Sequence, residues 1–195
     1  MASFYSGNYY LSQAEMEVNV RYAYNYLGSR GWSINAISGM AGNWESESGC
    51  NPGIWESLNS GNTSGGYGLV QWTPATKYLN WCDENGLEPS DLDSALERII
   101  WELENGEQWI ATSAYPLSFA DFKTSTQTPY YLGMAFLYNY ERPYSLDQPN
   151  RGTQAQAWYE FLSGEPAPDD PGGNEANPVK KKMALWLLLA ASKRS

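Results

Sequence analysis

The chain has 195 residues, enough for one domain with a sizeable core or for one domain and a tail. Its formal net charge is −10, which argues against nucleic acid as a partner because phosphate binding needs a positive surface. It contains no histidine, and this removes histidine-based catalytic triads and nearly all common zinc-hydrolase sites. Carboxylates are therefore the side chains that remain for acid–base chemistry.

Aromatic residues are abundant, at 15% of the chain with nine Trp and fifteen Tyr. Most of them are expected to pack in the core. The surplus is interleaved with Asn, Gln, Ser and Gly, and this mixture suits a sugar-binding groove, where aromatic faces stack on sugar rings and amides bond the hydroxyls.

The two cysteines, Cys50 and Cys82, are too few for a disulfide framework, although a single bridge between them stays an alternative. Residues 1–15 contain no basic region followed by an apolar run, so we expect no secretory signal peptide there.

The first part of the chain predicts two adjacent helices. A capping box at Ser12 opens a helix that extends to about Ser29. Ser33 is a good N-cap for the next helix, whose apolar residues recur at helical spacing and which ends where Gly49 can adopt the left-handed conformation.

Residues 51–66 are rich in Gly, Asn and Ser and have no helical period, so they predict turns with a short, irregular hairpin. Thr73 and Pro74 then supply an N-cap and a proline at the first helical position, which predicts a helix to about Asn85. Later helices are predicted over residues 90–105, 108–114, 118–123, 128–142 and 154–162.

These elements predict a mainly helical α+β fold over residues 1–163, with a small irregular β region that lines a cleft. Residues 164–179 are dense in Pro, Gly and Asp and predict a linker. Residues 180–195 form a short basic–apolar tail whose role the sequence leaves open, and its apolar run is too short to span a bilayer.

Glu45 is the candidate general acid. It follows the edge of the apolar stripe in the last turn of the second helix, where partial desolvation and the helix dipole both favour the neutral carboxyl. A carboxyl that keeps its proton near neutral pH can protonate a leaving group. The alternative is a solvated glutamate near a helix end.

The glycine-rich segment, residues 65–73, is the candidate binding wall that follows this acid. Its glycines allow close approach of the backbone to a ligand, and Gly68 can expose an amide to it. Tyr67 and Trp72 offer stacking faces, and Gln71 can fix a sugar or a water by two-sided hydrogen bonding. An ordinary hairpin turn is the alternative.

Three motifs in order, NWESESGCNPG, GGYGLVQWT and FLYNYERP, resemble the lysozyme-like glycosidases, especially goose-type lysozymes and lytic transglycosylases. Over residues 1–163 the chain is similar to the phage tail lysozyme family. The resemblance implies that Glu45 is the catalytic acid, that Gln71 lines the cleft opposite it, and that Tyr138 and Asn139 brace the acid.

A glycosidase usually needs a second carboxylate. Residues 46–81 contain only Glu47 and Glu56, with no Asp where a hen-type lysozyme carries one. Glu47 lies roughly 200° round the helix from the candidate acid and is expected to face elsewhere. Glu141 is expected to form a buried salt bridge with Arg142. Glu56 and Glu141 are thus the candidate second carboxylates, and single-acid catalysis, completed by the substrate's N-acetyl group or a positioned water, fits better.

The resemblance implies a muramidase that cleaves the β-1,4 bond between N-acetylmuramic acid and N-acetylglucosamine in peptidoglycan. It also implies a virion location at the phage tail tip, other tail proteins as partners, no metal or cofactor in this domain, and a C-terminal metallopeptidase domain in the full-length protein. The alternatives are a non-catalytic glycan-binding module on the same fold and a lytic transglycosylase that releases 1,6-anhydro products.

Overall fold

A computed structural model describes residues 3–164 and is mainly helical. The predicted linker beyond Gly164 and the predicted tail lie outside the described residues, so their boundaries stay predictions. The helices are α1 (Gln13–Gly28), α2 (Ile34–Ser48), α3 (Thr76–Asn85), α4 (Leu92–Glu104), α5 (Phe119–Thr124), α6 (Pro129–Phe136) and α7 (Asn150–Ser163), with a 3-10 turn at Glu56–Leu58 and a π turn at Leu137–Glu141.

The helix ends follow local signals in the sequence. Ser12 and Glu15 form the predicted capping box of α1, in which each side chain bonds the backbone of the other. At α2, the Ser33 side chain accepts a hydrogen bond from the third helical amide, and Gly49 ends the helix with φ at 61°. The bounds of α1 and α2 are therefore confirmed.

Helix α2 lies at the centre of the fold and packs against α6 and α7. Two glycines allow this close approach. A Cβ atom at Gly39 would lie 2.8 Å from the backbone carbon of Leu132 in α6, and one at Gly42 would lie 2.6 Å from the amide nitrogen of Ala155 in α7. The three helices thus meet backbone to backbone, which fixes the direction in which the end of α2 points.

The predicted helix over residues 108–114 is wrong, because this segment is irregular. Its amides are engaged by Asn139 instead: the Ile110 amide donates to the Asn139 carbonyl at 2.9 Å, and the Thr112 amide donates to the Asn139 side chain at 3.0 Å. Tertiary hydrogen bonds have replaced the local ones that a helix would need.

Two helix starts also differ from the prediction. Helix α3 begins at Thr76, not after Thr73, because the Thr73 hydroxyl bonds the Gln71 carbonyl and the Ala75 amide bonds the Gly65 carbonyl. Helix α7 begins at Asn150, four residues before its predicted start, and it has no side-chain cap that could signal this in the sequence.

The small β region is not confirmed. Within residues 3–164 the backbone forms only two isolated bridges, between Trp55 and Tyr67 and between Tyr67 and Trp72. The chain turns too sharply to extend a ladder here, since Gly68 and Gln71 both have positive φ values, 80° and 51°. The expectation of a mainly helical fold is confirmed.

Both cysteines are buried and carry free thiols, so Cys50 and Cys82 do not form the bridge considered above. No helix in the described part of the chain is long and apolar enough to cross a bilayer. The same residues contain no group of three or more Asp, Glu, His or Cys side chains that could hold a metal ion.

Candidate active site

The last turn of α2 carries two carboxylates with different partners. Glu45 is half-buried and accepts a hydrogen bond of 2.8 Å from the indole of Trp158 on α7. Glu47 forms a 2.6 Å ion pair with Arg151 at the start of α7. As expected, the two carboxylates contact different side chains.

Arg151 is buried and its guanidinium is held by three side chains. In addition to Glu47, it donates to the amide oxygen of Asn43 at 3.3 Å and to that of Gln148 at 2.8 Å. Asn43 in turn donates to the Gly133 carbonyl of α6 at 2.9 Å. The cation beside Glu47 is thus fixed by α2, α6 and α7 together.

Glu141 ends the π turn, and its Oε1 atom is buried without a hydrogen-bond partner. Burial is the main cause that raises the pKa of this carboxyl well above its ordinary value, and the negative charge of Glu47 raises it further. The Arg151 charge opposes both effects. Glu141 therefore favours its protonated form.

The predicted salt bridge between Glu141 and Arg142 is wrong. Across the described residues, Glu141 takes part in no ion pair, and the Arg142 guanidinium donates to the carbonyl oxygens of Gln108 and Asn139. Arg142 adopts a left-handed conformation with φ at 48°, which ends the π turn.

The glycine-rich segment is tied directly to the end of α2. The hydroxyl of Ser48, next to Glu47, donates to the Leu69 carbonyl at 2.8 Å. Ser48 lies three residues after Glu45, on the same face of the helix, so this buried hydrogen bond ties the segment to the Glu45 face of the helix end. The serine that follows Glu47 thus positions the candidate binding wall.

Tyr67 and Trp72, the predicted stacking residues, lie in the core with only 5% and 6% of their surface exposed. The Trp72 ring stacks on Tyr78 at 4.1 Å, and its indole nitrogen donates to the buried carboxylate of Glu102. Both rings anchor the glycine-rich segment to the core, and their role in sugar binding stays a prediction.

Gln71 is partly exposed at the surface of the same segment. Its side-chain amide donates to the carbonyls of Gly68 at 2.9 Å and Ile54 at 3.3 Å, so the side chain braces its own turn. Glu56 is exposed and accepts a 2.8 Å hydrogen bond from the Gly66 amide. Whether Gln71 faces Glu45 across a cleft, and whether Glu56 acts as a second carboxylate, stay predictions.

Asn139 is fully buried and holds residues 112–115 rather than a carboxylate. It accepts from the Thr112 amide and donates to the Tyr115 carbonyl at 2.9 Å. The neighbouring Tyr138 is partly exposed, and its ring lies 4.9 Å from that of Tyr115. Tyr138 is thus better placed for stacking on a sugar than the two buried rings described above.

Comparison with known proteins gives this site its context. The family model described as phage tail lysozyme matches residues 18–162. The chain belongs to the phage tail lysozyme family. A relative, "Morphogenesis protein 1" of Bacillus phage B103, is 56% identical over 162 residues, which cover 83% of this chain. The chain spans 44% of the length of that relative. The resemblance inferred from the motifs is confirmed.

Within this phage tail lysozyme, the fold brings together a set of charged residues that the sequence did not single out. Glu47 was expected to face away from the site, and Arg151 was not considered. The sequence carried no signal for this contact, because the ion pair joins residues 104 positions apart in the chain.

Proposed function

We propose that the chain is a tail-associated glycoside hydrolase that cleaves the β-1,4 bond between N-acetylmuramic acid and N-acetylglucosamine during penetration of the host wall. The observation that carries the proposal is the half-buried carboxylate of Glu45, on the helix face that Ser48 ties to the glycine-rich segment, in a phage tail lysozyme without histidine.

Glu45 is the carboxylate that we propose as the general acid of this reaction. Glu45 is half-buried at the end of α2, and the Trp158 indole holds it with a 2.8 Å hydrogen bond. From there it can protonate the leaving oxygen, and the substrate's N-acetyl group or a positioned water completes the reaction. Glu47, paired with Arg151, and the buried Glu141 are the two alternative carboxylates.

Three single substitutions separate this pair from the acid inferred from the motif. We expect Glu45→Gln, which leaves an oxygen to accept the Trp158 hydrogen bond, to lower the rate of wall clearing by about 100-fold or more, the usual contribution of a general acid. We expect Glu47→Gln and Glu141→Gln to retain more of the activity. The opposite pattern would assign the acid to Glu47 or Glu141 and give Glu45 a structural role.

Release of muropeptides by the unmodified chain tests the glycosidase assignment itself. If the chain binds purified walls but releases no sugar product, it is a glycan-binding module. Mass analysis of the released muropeptides distinguishes a reducing end, the product of hydrolysis, from the 1,6-anhydro end that a lytic transglycosylase leaves.

The activity and partners of the whole protein are proposals of the same kind. The relative from Bacillus phage B103 is more than twice as long as the region it shares with this chain, which supports a further domain in the full-length protein. The resemblance to tail lysozymes favours a metallopeptidase there, a location at the tail tip and contacts with other tail proteins.

A further inference from the structure

The N-terminal segment, residues 3–12, docks onto the irregular loop that precedes the glycine-rich segment. The Asn8 side chain donates to the Leu58 carbonyl at 2.9 Å and accepts from the Trp55 amide at 3.1 Å. The match to the family model begins at residue 18, so this segment lies outside the part of the chain that the model covers. The N-terminal segment therefore adds a surface to the fold that the family model describes.

Buried contacts fix the backbone of the N-terminal segment at this place. Asn51 is fully buried, and its side chain donates to the carbonyls of Gly7 at 2.8 Å and Tyr9 at 2.7 Å. The two backbones also approach closely, since a Cβ atom at Gly53 would lie 2.7 Å from the Gly7 amide nitrogen. The segment is thus held in place before any ligand binds, which lowers the entropic cost of binding.

The anchored segment continues the candidate binding wall. Trp55, whose amide bonds Asn8, forms an antiparallel bridge with Tyr67, and Tyr67 forms another with Trp72. The Trp55 and Tyr67 rings lie 4.6 Å apart, and Trp55 is partly exposed. The order across this surface is therefore the N-terminal segment, then Trp55, then the glycine-rich segment.

Two tyrosines of the N-terminal segment are exposed to solvent. Tyr9 is 42% exposed and Tyr10 is 71% exposed. The Tyr9 ring lies against Gly7, where an added Cβ atom would be only 2.7 Å from the ring. Aromatic faces at fixed positions beside amide side chains are the groups that stack on sugar rings and bond their hydroxyls.

The surface around these tyrosines is nearly free of charge. Residues 3–14 and 51–76 contain one charged side chain, that of Glu56, although charged residues make up 17% of the chain. An anionic wall polymer would find no cation here and would be repelled by a chain of net charge −10. A neutral run of N-acetyl sugars is not repelled, and the amides and hydroxyls of the surface can bond its polar groups.

We propose that Tyr9 and Tyr10 form an additional glycan subsite, which holds sugar rings of the peptidoglycan strand beyond those bound over the glycine-rich segment. The inference rests on the proposed function and deepens it, because it names the part of the chain that binds the outer sugars of a long strand. These sugars lie away from the bond that is cleaved, so the subsite contributes to binding and takes no part in the reaction.

The test compares the double variant Tyr9→Ala/Tyr10→Ala with Tyr144→Ala, which removes a fully exposed tyrosine between the π turn and α7. Binding of purified, peptide-free glycan strands is measured by calorimetry, and kcat and KM are measured on the same strands. For the double variant we expect the dissociation constant and KM to rise by about 3-fold or more with kcat unchanged, because the lost contacts are remote from the reacting bond. Short N-acetylglucosamine oligomers, which do not reach the subsite, should bind the double variant and the unmodified chain equally. The control should match the unmodified chain.

An unchanged dissociation constant and KM for glycan strands in the double variant would overturn the proposal, and so would an equal rise in Tyr144→Ala or for the short oligomers. If the double variant is less stable, Tyr10→Ala alone applies the same test at the more exposed position. The two proposals fail differently. An unmodified chain that binds strands through these tyrosines but releases no sugar refutes the glycosidase alone, whereas an active chain whose KM is unchanged in the double variant refutes only this inference.

Discussion

Glu47 and Arg151 form a 2.6 Å ion pair that joins the end of α2 to the start of α7, and only 21% and 6% of their side-chain surfaces are exposed. The same guanidinium lies close enough to Glu141 to oppose the rise in its pKa. One cation therefore acts on both carboxylates, which makes it an informative place for substitution.

Arg151→Gln should lower the free energy of unfolding by about 3 kcal/mol, because it leaves Glu47 desolvated without its partner. Urea denaturation at neutral pH measures the change. Arg30→Gln is the control, since Arg30 is exposed and its removal should change stability by less than about 0.5 kcal/mol. If both variants lose the same free energy of unfolding, the buried ion pair of Glu47 and Arg151 has no special role in stability.

The stability of the protein should depend on Glu141 in a defined pH window. Because the folded pKa of this carboxyl is raised above its ordinary value of 4.5, its favourable contribution is complete below pH 4.5 and is lost as the pH rises toward the folded pKa. Glu141→Gln carries no titrating proton, so its stability relative to the unmodified chain should increase from acidic to neutral pH. Urea denaturation at several pH values tests this.

Glu104→Gln provides the control for the pH series, because its exposed carboxylate lies in solvent at the end of α4. A difference between Glu141→Gln and the unmodified chain that stays constant from acidic to neutral pH would argue against a raised pKa for Glu141.

Gly42→Ala should destabilise the fold by about 1 to 3 kcal/mol, because the added methyl group would collide with the backbone of α7 at Arg151 and Ala155. The displacement of α7 should also reduce activity, since it carries Arg151 away from Glu47. Gly28→Ala is the matched control: its Cβ would meet no atom within 4 Å, so the melting temperature should be unchanged or slightly raised. Similar melting temperatures for both variants would argue against close packing at Gly42.

Added salt should increase the activity of the isolated chain. Residues 1–163 carry seven basic and eighteen acidic side chains, a net charge of −11, which should slow the encounter with anionic wall polymers. Screening over about 10 Å at 0.1 M salt weakens this repulsion. Clearing rates at increasing salt test the prediction, and a fast reaction at low salt that slows as salt is added would contradict it.

Tethering should have a larger effect than salt, because a catalytic domain held at the wall does not depend on diffusional encounter. Fusion of the chain to a module that binds the wall should raise the clearing rate well above that of the free chain at equal concentration. The same fusion with Glu45→Gln is the control for disruption by binding alone.

The sequence alone predicted the features that depend on neighbouring residues. The Ser12 and Ser33 caps, the left-handed Gly49 and the Thr128 cap of α6 are all present in the structure, because each is specified within one helical turn. Motif order also predicted the family, since each of the three strings that carry the resemblance is an unbroken run of residues.

The tertiary structure decided which of these residues come together. Two Glu-Ser pairs in one helix turn look equivalent in the sequence, and only the packing of α7 gives Glu45 its hydrogen bond from Trp158 and Glu47 its ion pair with Arg151. The sequence predicts that Trp72 offers a stacking face to a sugar. In the structure its indole is buried and donates a hydrogen bond to Glu102. Burial and ion pairing depend on residues distant in sequence, so local patterns do not contain them.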